Sequence, residues 1–355
     1  MARIEKEFAA SPDNCWVMNE LARTWAFGQQ YPETIQWLRK IADLGVGFDP
    51  SRDPLYKPLH GTREFDAVLQ RTRASISPVS TSHEAFRIAE GDLTPESEAY
   101  DPSSRRFYFG SLRKGVIVRC DAKGLCSKFA EGLGSVLGVK ISGTRLWAVS
   151  NLGAESALVE FEIPSGQLNR KYVVPGKGHQ LNDIAIGATG DVFATDTPGG
   201  AIWTLRPGAP RLERLLPDLR FHFANGIAVS RDGRTLYVSN YPDGISVVDL
   251  RSGIREAVRH PAGLCLALVD GLYTHGRSLI AIQKSSMSPR VIRLDLSRDL
   301  KAIERWTVLE RGNTLFDGVT GGTVAGNEFY FAANIQDEKP AGSSFAPIIV
   351  LKIRL

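Results

Sequence analysis

Two patterns of apolar and polar positions divide the chain. Up to about residue 75 the apolar residues recur at helical spacing. Leu21, Ala22 and Trp25, with Trp16 before them, mark one helix. Ile35, Leu38, Ile41 and Ala42 fall on one face of a second, which opens at Pro32 and closes on Gly45. Proline at a helix start loses no hydrogen bond, and glycine just past the end takes the left-handed cap. Phe65, Val68 and Leu69 mark a short third helix over residues 63–73. Two antiparallel helices with a capping third predict a helical hairpin module over residues 1–75. Its pattern resembles a tetratricopeptide unit. One such unit cannot bury its apolar face alone, so the module is expected to dock on its neighbour. A Ser/Thr-rich stretch, residues 76–83, reads as the linker.

From residue 84 to residue 355 the pattern changes to short β-type runs broken by Gly, Asp, Asn and Pro. Six of these runs stand out: FYF from Phe107, LWAV from Leu146, VFAT from Val192, LYVS from Leu236, LIAI from Leu279 and FYFA from Phe329. Each is preceded by another apolar strand, and that strand by a polar or small residue. These residues are Glu96, Gly138, Asn182, Asn225, Asp270 and Asp317, spaced 42, 44, 43, 45 and 47 apart. Six units of near-constant length, each with several strands, predict a mainly β fold, a six-bladed β-propeller with the helical module appended. The last strand, residues 348–355, is expected to complete the final blade, with residues 86–89 as its outer strand, closing the ring and removing a sheet edge.

In a propeller the first strand of each blade lines the central channel, so the residues opening those strands converge on the axis. Oxygen donors gathered from several blades suit a hard cation with six to eight oxygen ligands. Glu96 and Asp270 would neutralise its charge, and Asn182 and Asn225 would add neutral oxygens. Calcium is the expected cation. Magnesium and manganese are alternatives, and zinc is the one these donors suit least, since no Cys/His constellation stands at the positions. A competing reading makes Asn225-Gly226, Asp270-Gly271 and Asp317-Gly318 plain turn dipeptides, as Asp232-Gly233 is expected to be.

At these residues the sequence resembles the senescence marker protein, gluconolactonase and regucalcin family of six-bladed propellers. The resemblance spans residues 84–355. Its most specific piece is NGIAVSRDGRTLYVSN at residues 225–240, joined by LNDIAI from Leu181 and PESEAYD from Pro95. It implies one divalent cation, usually calcium, held by Glu96, Asn182, Asn225 and Asp270, and a lactonase or related ester hydrolase. A cation with open positions polarises a carbonyl, and Asp270 is the candidate to take a proton from water or to serve as a ligand only. Ser97 replaces the family's usual glycine, and Lys284 stands where relatives often carry a neutral amide. The helical module lies outside the basic family fold.

His179 and His222 stand three residues before Asn182 and Asn225, and either could shuttle protons near neutral pH; an exposed loop histidine is the plainer reading. Lys140 is expected to face solvent, with a substrate carboxylate as its alternative partner. Gly176-Lys177-Gly178 lacks the spacing of a phosphate loop, and no GxSxG elbow occurs.

Composition adds limits. The 355 residues are 43% hydrophobic and 9% aromatic, which excludes a disordered chain. Forty-three basic against 39 acidic residues give +4, and with no basic cluster there is no case for nucleic acid or an anionic membrane. No apolar run is long enough to span a membrane. A small-molecule substrate is therefore expected, with a protein partner for the helical module as a further expectation. Cys120 and Cys126 could pair across a hairpin, but isolated thiols are expected for all four cysteines. The start carries no apolar signal core and reads as written as cytoplasmic; a removed leader would make the protein periplasmic or secreted. Two rival functions keep the fold: a non-catalytic metal- or ligand-binding scaffold, and a condensing enzyme of the strictosidine synthase type that works without metal.

Overall fold

The computed structural model describes residues 1–285, 287–340 and 342–355. Six antiparallel four-stranded sheets stand around one axis, the six-bladed propeller that the spacing predicts. The inner strands are Pro95–Asp101, Val139–Ser142, Leu181–Ile186, Ala224–Val229, Val269–His275 and Thr323–Ala325, which open blades one to six. Blade six is completed by the chain's two ends: Ile348–Arg354 pairs with His83–Ile88, Ile348 opposite Ile88 and Lys352 opposite His83. That outer strand starts three residues earlier than expected. The pairing ties the ring closed and leaves no open edge between first and last blade.

Strands deep in the ring read as unbroken apolar runs because both faces are covered. Ser278–Gln283, the second strand of blade five, is buried along its whole length. Packing is organised by junction. Six apolar clusters each join two neighbouring blades: Tyr237 with Leu279 across blades four and five, Tyr108 with Leu146 across one and two, Phe86 with Phe109 across six and one. The remaining junctions are filled by Leu158 with Trp203, Ile280 with Phe331 and Phe193 with Ile227.

Ahead of the ring lie four helices, α1 (Ala2–Ala10), α2 (Cys15–Phe27), α3 (Tyr31–Asp43) and α4 (Arg63–Ser75). The first was not marked by the apolar pattern, and none of its residues is buried. The module's core, with Met18, Ala22, Leu38, Ile41, Phe65 and Val68, incorporates Cys265 and Ala267 from the loop that enters blade five. Polar contacts fix the seat. Asn14 donates its amide to the Pro242 carbonyl at 2.9 Å, the Cys15 N–H points to Cys265 Sγ at 3.4 Å, and the buried Arg290 guanidinium donates to the Gly45 carbonyl at 3.2 Å. The linker is pinned too: the N–H groups of Thr81 and Ser82 both donate to Glu310 at 2.8 Å.

One cysteine expectation is corrected. Cys120 and Cys126 face each other directly across the hairpin of blade one and form a disulfide. Cys15 and Cys265 are free and buried. Thiol titration of the unfolded, unreduced protein should therefore count two thiols, and four after reduction; four at the outset would contradict the pairing.

Candidate metal centre

The inner strands enter the ring through a shared device. Two residues before Glu96, Asn225 and Asp270 stand Thr94, Phe223 and Leu268, all with left-handed φ of 46°, 48° and 66°. Non-glycine residues hold that conformation only where the surroundings enforce it. Here each is gripped by a backbone bond: the N–H of Leu112 donates to the Thr94 carbonyl, that of Tyr241 to Phe223 and that of Lys284 to Leu268, at 3.1, 3.1 and 2.9 Å. The turn aims the residue two places on at the axis.

Bonds between neighbouring blades set which residues are equivalent. Ser97, just after Glu96, accepts the Val139 N–H at 3.0 Å, and Asp183, just after Asn182, accepts that of Ile227 at 3.2 Å. In this register the ring is Glu96, Leu137, Asn182, Asn225, Asp270 and Thr320, and all six line one small space of about 20 Å³. Blade two thus presents Leu137 rather than Gly138, and blade six Thr320 rather than Asp317. Asp317 is exposed outside the ring, and Gly318 after it, with φ of 77°, is the blade-six counterpart of the three entry residues: it stands two places before Thr320, and its carbonyl accepts the Ile335 N–H at 3.1 Å. The turn reading fails at Asn225-Gly226 and Asp270-Gly271, which lie inside inner strands. Gly226 is needed for close approach instead: a Cβ there would stand 2.3 Å from the Asp270 carbonyl, and one on Gly321 2.2 Å from that of Glu96.

The donors are two carboxylates, two amides and a hydroxyl. Glu96 is pushed up to about 7 by desolvation and by the charge of Asp270. Asp270 is pushed up to about 6 by desolvation, although Lys284 and a hydrogen bond from Asn225 pull it back. Lys284 Nζ lies 3.3 Å from Asp337 and 3.7 Å from Asp270. Burial works against its ammonium, yet Asp270, Asp337 and Glu96 together raise its pKa. Three carboxylates against one ammonium leave two negative charges when all are ionised, the deficit that one divalent cation fills. The donor set is hard and oxygen-only, and the space suits one water-sized body. Among the described residues no group of three or more His, Cys, Asp and Glu side chains is arranged to hold a metal, so a cation here would depend on the Asn182 and Asn225 amides as well as on the carboxylates. The residues fit a calcium-type ion.

A second tier of residues sits directly after the second strands. Thr197, Tyr241 and Lys284, with Asn225 and Asp270 beneath, line a cavity of about 640 Å³ at the channel mouth, together with His222, Phe223 and Pro242. His222 is more than half exposed and 3.2 Å from Asp243. His179 is not brought there. It is turned into blade three, with Nδ1 2.6 Å from Asp196 and Nε2 3.1 Å from the Pro175 carbonyl, so both nitrogens are engaged. Lys140 does not face solvent: it points into the channel, 3.6 Å from Asp183 and 4.6 Å from the centre of the Tyr273 ring. Lys284 and Asp337 were not readable as one unit, since they come from different blades, and Asp337 stands in a loop without a motif.

Substituting Gly226 by Ala should force Asp270 aside. The expected result is a folded protein whose calcium affinity, measured by calorimetry, falls about 10- to 100-fold, the usual range for loss of a ligand's support.

The sequence matches no family profile and no curated protein. Solved structures do match. The allergen Mala s 1 of Malassezia sympodialis aligns with TM-score 0.60 at 16% identity over 77% of this chain and 96% of its own. A gluconolactonase of Xanthomonas campestris gives 0.54 and 16% over 79% and 100%, and a calcium-binding regucalcin of Agrobacterium tumefaciens 0.53 and 15% over 76% and 93%. These likenesses establish the fold. An allergen and an enzyme share it, so the chemistry has to be argued from the site.

Proposed function

We propose that the protein is a calcium-dependent hydrolase of lactones or similar cyclic esters. The observation that carries this reading is the convergence of Glu96, Asn182, Asn225 and Asp270 on one small space at the floor of an open cavity, where Glu96, Asp270 and Asp337 against Lys284 leave two uncompensated negative charges when ionised. The gluconolactonase and regucalcin among the structural neighbours favour the same chemistry. Glu96 and Asp270 would hold the cation, with Asn182 and Asn225 as neutral donors and Thr320 beside Glu96. When bound, the cation would polarise the ester carbonyl and stabilise its oxyanion. Asp270, held by Asn225, takes a proton from the attacking water. The water oxygen bonds to the carbonyl carbon, the ring C–O bond breaks, and the proton passes to the released alkoxide to give a hydroxy acid. Lys284, held by Asp337, adds positive charge beside the developing oxyanion. His222 lines the cavity and is placed to relay protons to solvent. The Cys120–Cys126 disulfide favours an oxidising compartment for this activity.

A second reading rests on Lys284 alone: its ammonium supplies the positive charge and hydrolysis needs no metal. Chelation separates the two. Under the main reading, calcium binds at one saturable site by calorimetry, Asn225→Ala weakens it by more than about tenfold, and chelator abolishes lactone hydrolysis until calcium is restored. Asp270→Ala should lower kcat by at least about 10²-fold, the least expected of a lost proton acceptor. Full activity in chelator would overturn the metal requirement, and full activity of Asp270→Ala would overturn the mechanism.

A further inference from the structure

The cavity above the metal centre is not built by the propeller alone: Trp16 and Glu20 of α2 complete its lining. Asn14 fixes their position. Its side-chain oxygen caps α2, accepting the N–H groups of Trp16 at 2.9 Å and Val17 at 3.2 Å, while its amide is tied to Pro242, another lining residue. Residues 16 and 20 fall one above the other on a helix face. Their opposite face carries Cys15, Met18 and Ala22, all buried in the docked core. The sequence pattern counts Trp16 among the residues that mark this helix, yet its side chain stays 43% exposed. Phe223 repeats the anomaly. Of the three left-handed residues entering the ring, Thr94 is buried and Leu268 packs on the helical module, but Phe223 stays 54% exposed toward the cavity. A large aromatic on a strained backbone with no core to fill marks a ligand contact.

We propose that α2 is a fixed wall of the substrate site, and that Trp16, with Phe223 and Tyr241, selects lactones or esters that carry a planar or alicyclic apolar ring beside the reacting carbonyl. Volume supports this substrate class. At about 640 Å³ the cavity lies in the ~300–1,000 Å³ range of sites that bury drug-sized ligands, and a bare sugar lactone would leave most of it to water. The lining divides accordingly: Trp16, Phe223, Tyr241 and Pro242 offer apolar surface, while Asn225, Asp270 and Lys284 lie where the ester would react. Glu20 disfavours an anionic substituent on that ring. The helical module thereby acts on specificity, whatever else it binds.

This inference rests on the hydrolase reading for its choice of ester, so its test uses binding as well as turnover. The probes are δ-valerolactone, its 5-phenyl derivative, and the phenyl-substituted lactam of the same ring, which is not hydrolysed. Trp16→Ala should lower kcat/KM for the phenyl lactone and lactam affinity by about tenfold or more, the scale of a lost apolar subsite contact. Its effect on δ-valerolactone should be several-fold smaller than on the phenyl lactone, and Trp16→Phe should restore most of the phenyl-lactone loss. Because Trp16 is half-exposed, an unchanged thermal midpoint is expected for both variants. Equal losses on both lactones would make Trp16 a structural residue and overturn the proposal, as would failure of the wild-type protein to bind the lactam. Trp16-dependent lactam binding without hydrolysis of either lactone would uphold the wall and sink the hydrolase reading instead.

Discussion

Everything at the candidate site depends on the closure of the ring through blade six. Pairing of Ile348–Arg354 with His83–Ile88 seals the last gap between blades, and only a sealed ring holds Glu96 of blade one against Thr320 of blade six. Inner strands then approach so closely that glycine is required beside the axis at Gly226 and Gly321. The crowding has an electrostatic consequence. Glu96 and Asp270 come from blades one and five, and folding forces them to share one narrow, poorly solvated space in which burial disfavours both charges and Asp270 further opposes the ionisation of Glu96. A fold with no use for that tension would place a neutral residue at either position. Here the tension is retained: Lys284 favours both ionised carboxylates, while Asp337 works against them.

The helical module is tied to the same centre by a short path. Its core takes in Cys265, Ala267 and Leu268, and Leu268 is the strained residue that aims Asp270 at the axis. On the far side of α2 the module meets the cavity through Trp16. Docking of the module, the entry turn of blade five and the shape of the cavity are therefore one packed unit.

The convergence of Glu96, Asn182, Asn225 and Asp270 was legible because a propeller repeats: a near-constant spacing of 42 to 47 residues returns each blade to the same place. Legibility failed where the repeat is irregular. At blade two the small Gly138 drew attention from Leu137, and both orders satisfy the spacing. At blade six the inner strand is reduced to Thr323–Ala325, so the entry bend at Asp317-Gly318, just before Thr320, imitated its start. Lys284 was visible only as a departure from the residue relatives carry there, since its partner Asp337 belongs to another blade. Trp16 was legible as a helix position but not as a cavity residue. Helical periodicity reports which face is apolar, and an aromatic that serves a ligand looks the same in a sequence as one that serves a core. The Cys120–Cys126 pair needed the hairpin register, which puts the two residues directly opposite.

The proposed function requires one divalent cation in the ring of Glu96, Asn182, Asn225 and Asp270. Anomalous diffraction from crystals soaked in terbium, a calcium substitute with a strong signal, tests it most directly. One dominant peak within reach of Glu96 and Asp270, with Lys284 drawn toward Asp337, is the predicted result. Absence of a peak there, with the Lys284 ammonium filling the space between the carboxylates in soaked crystals, would contradict it.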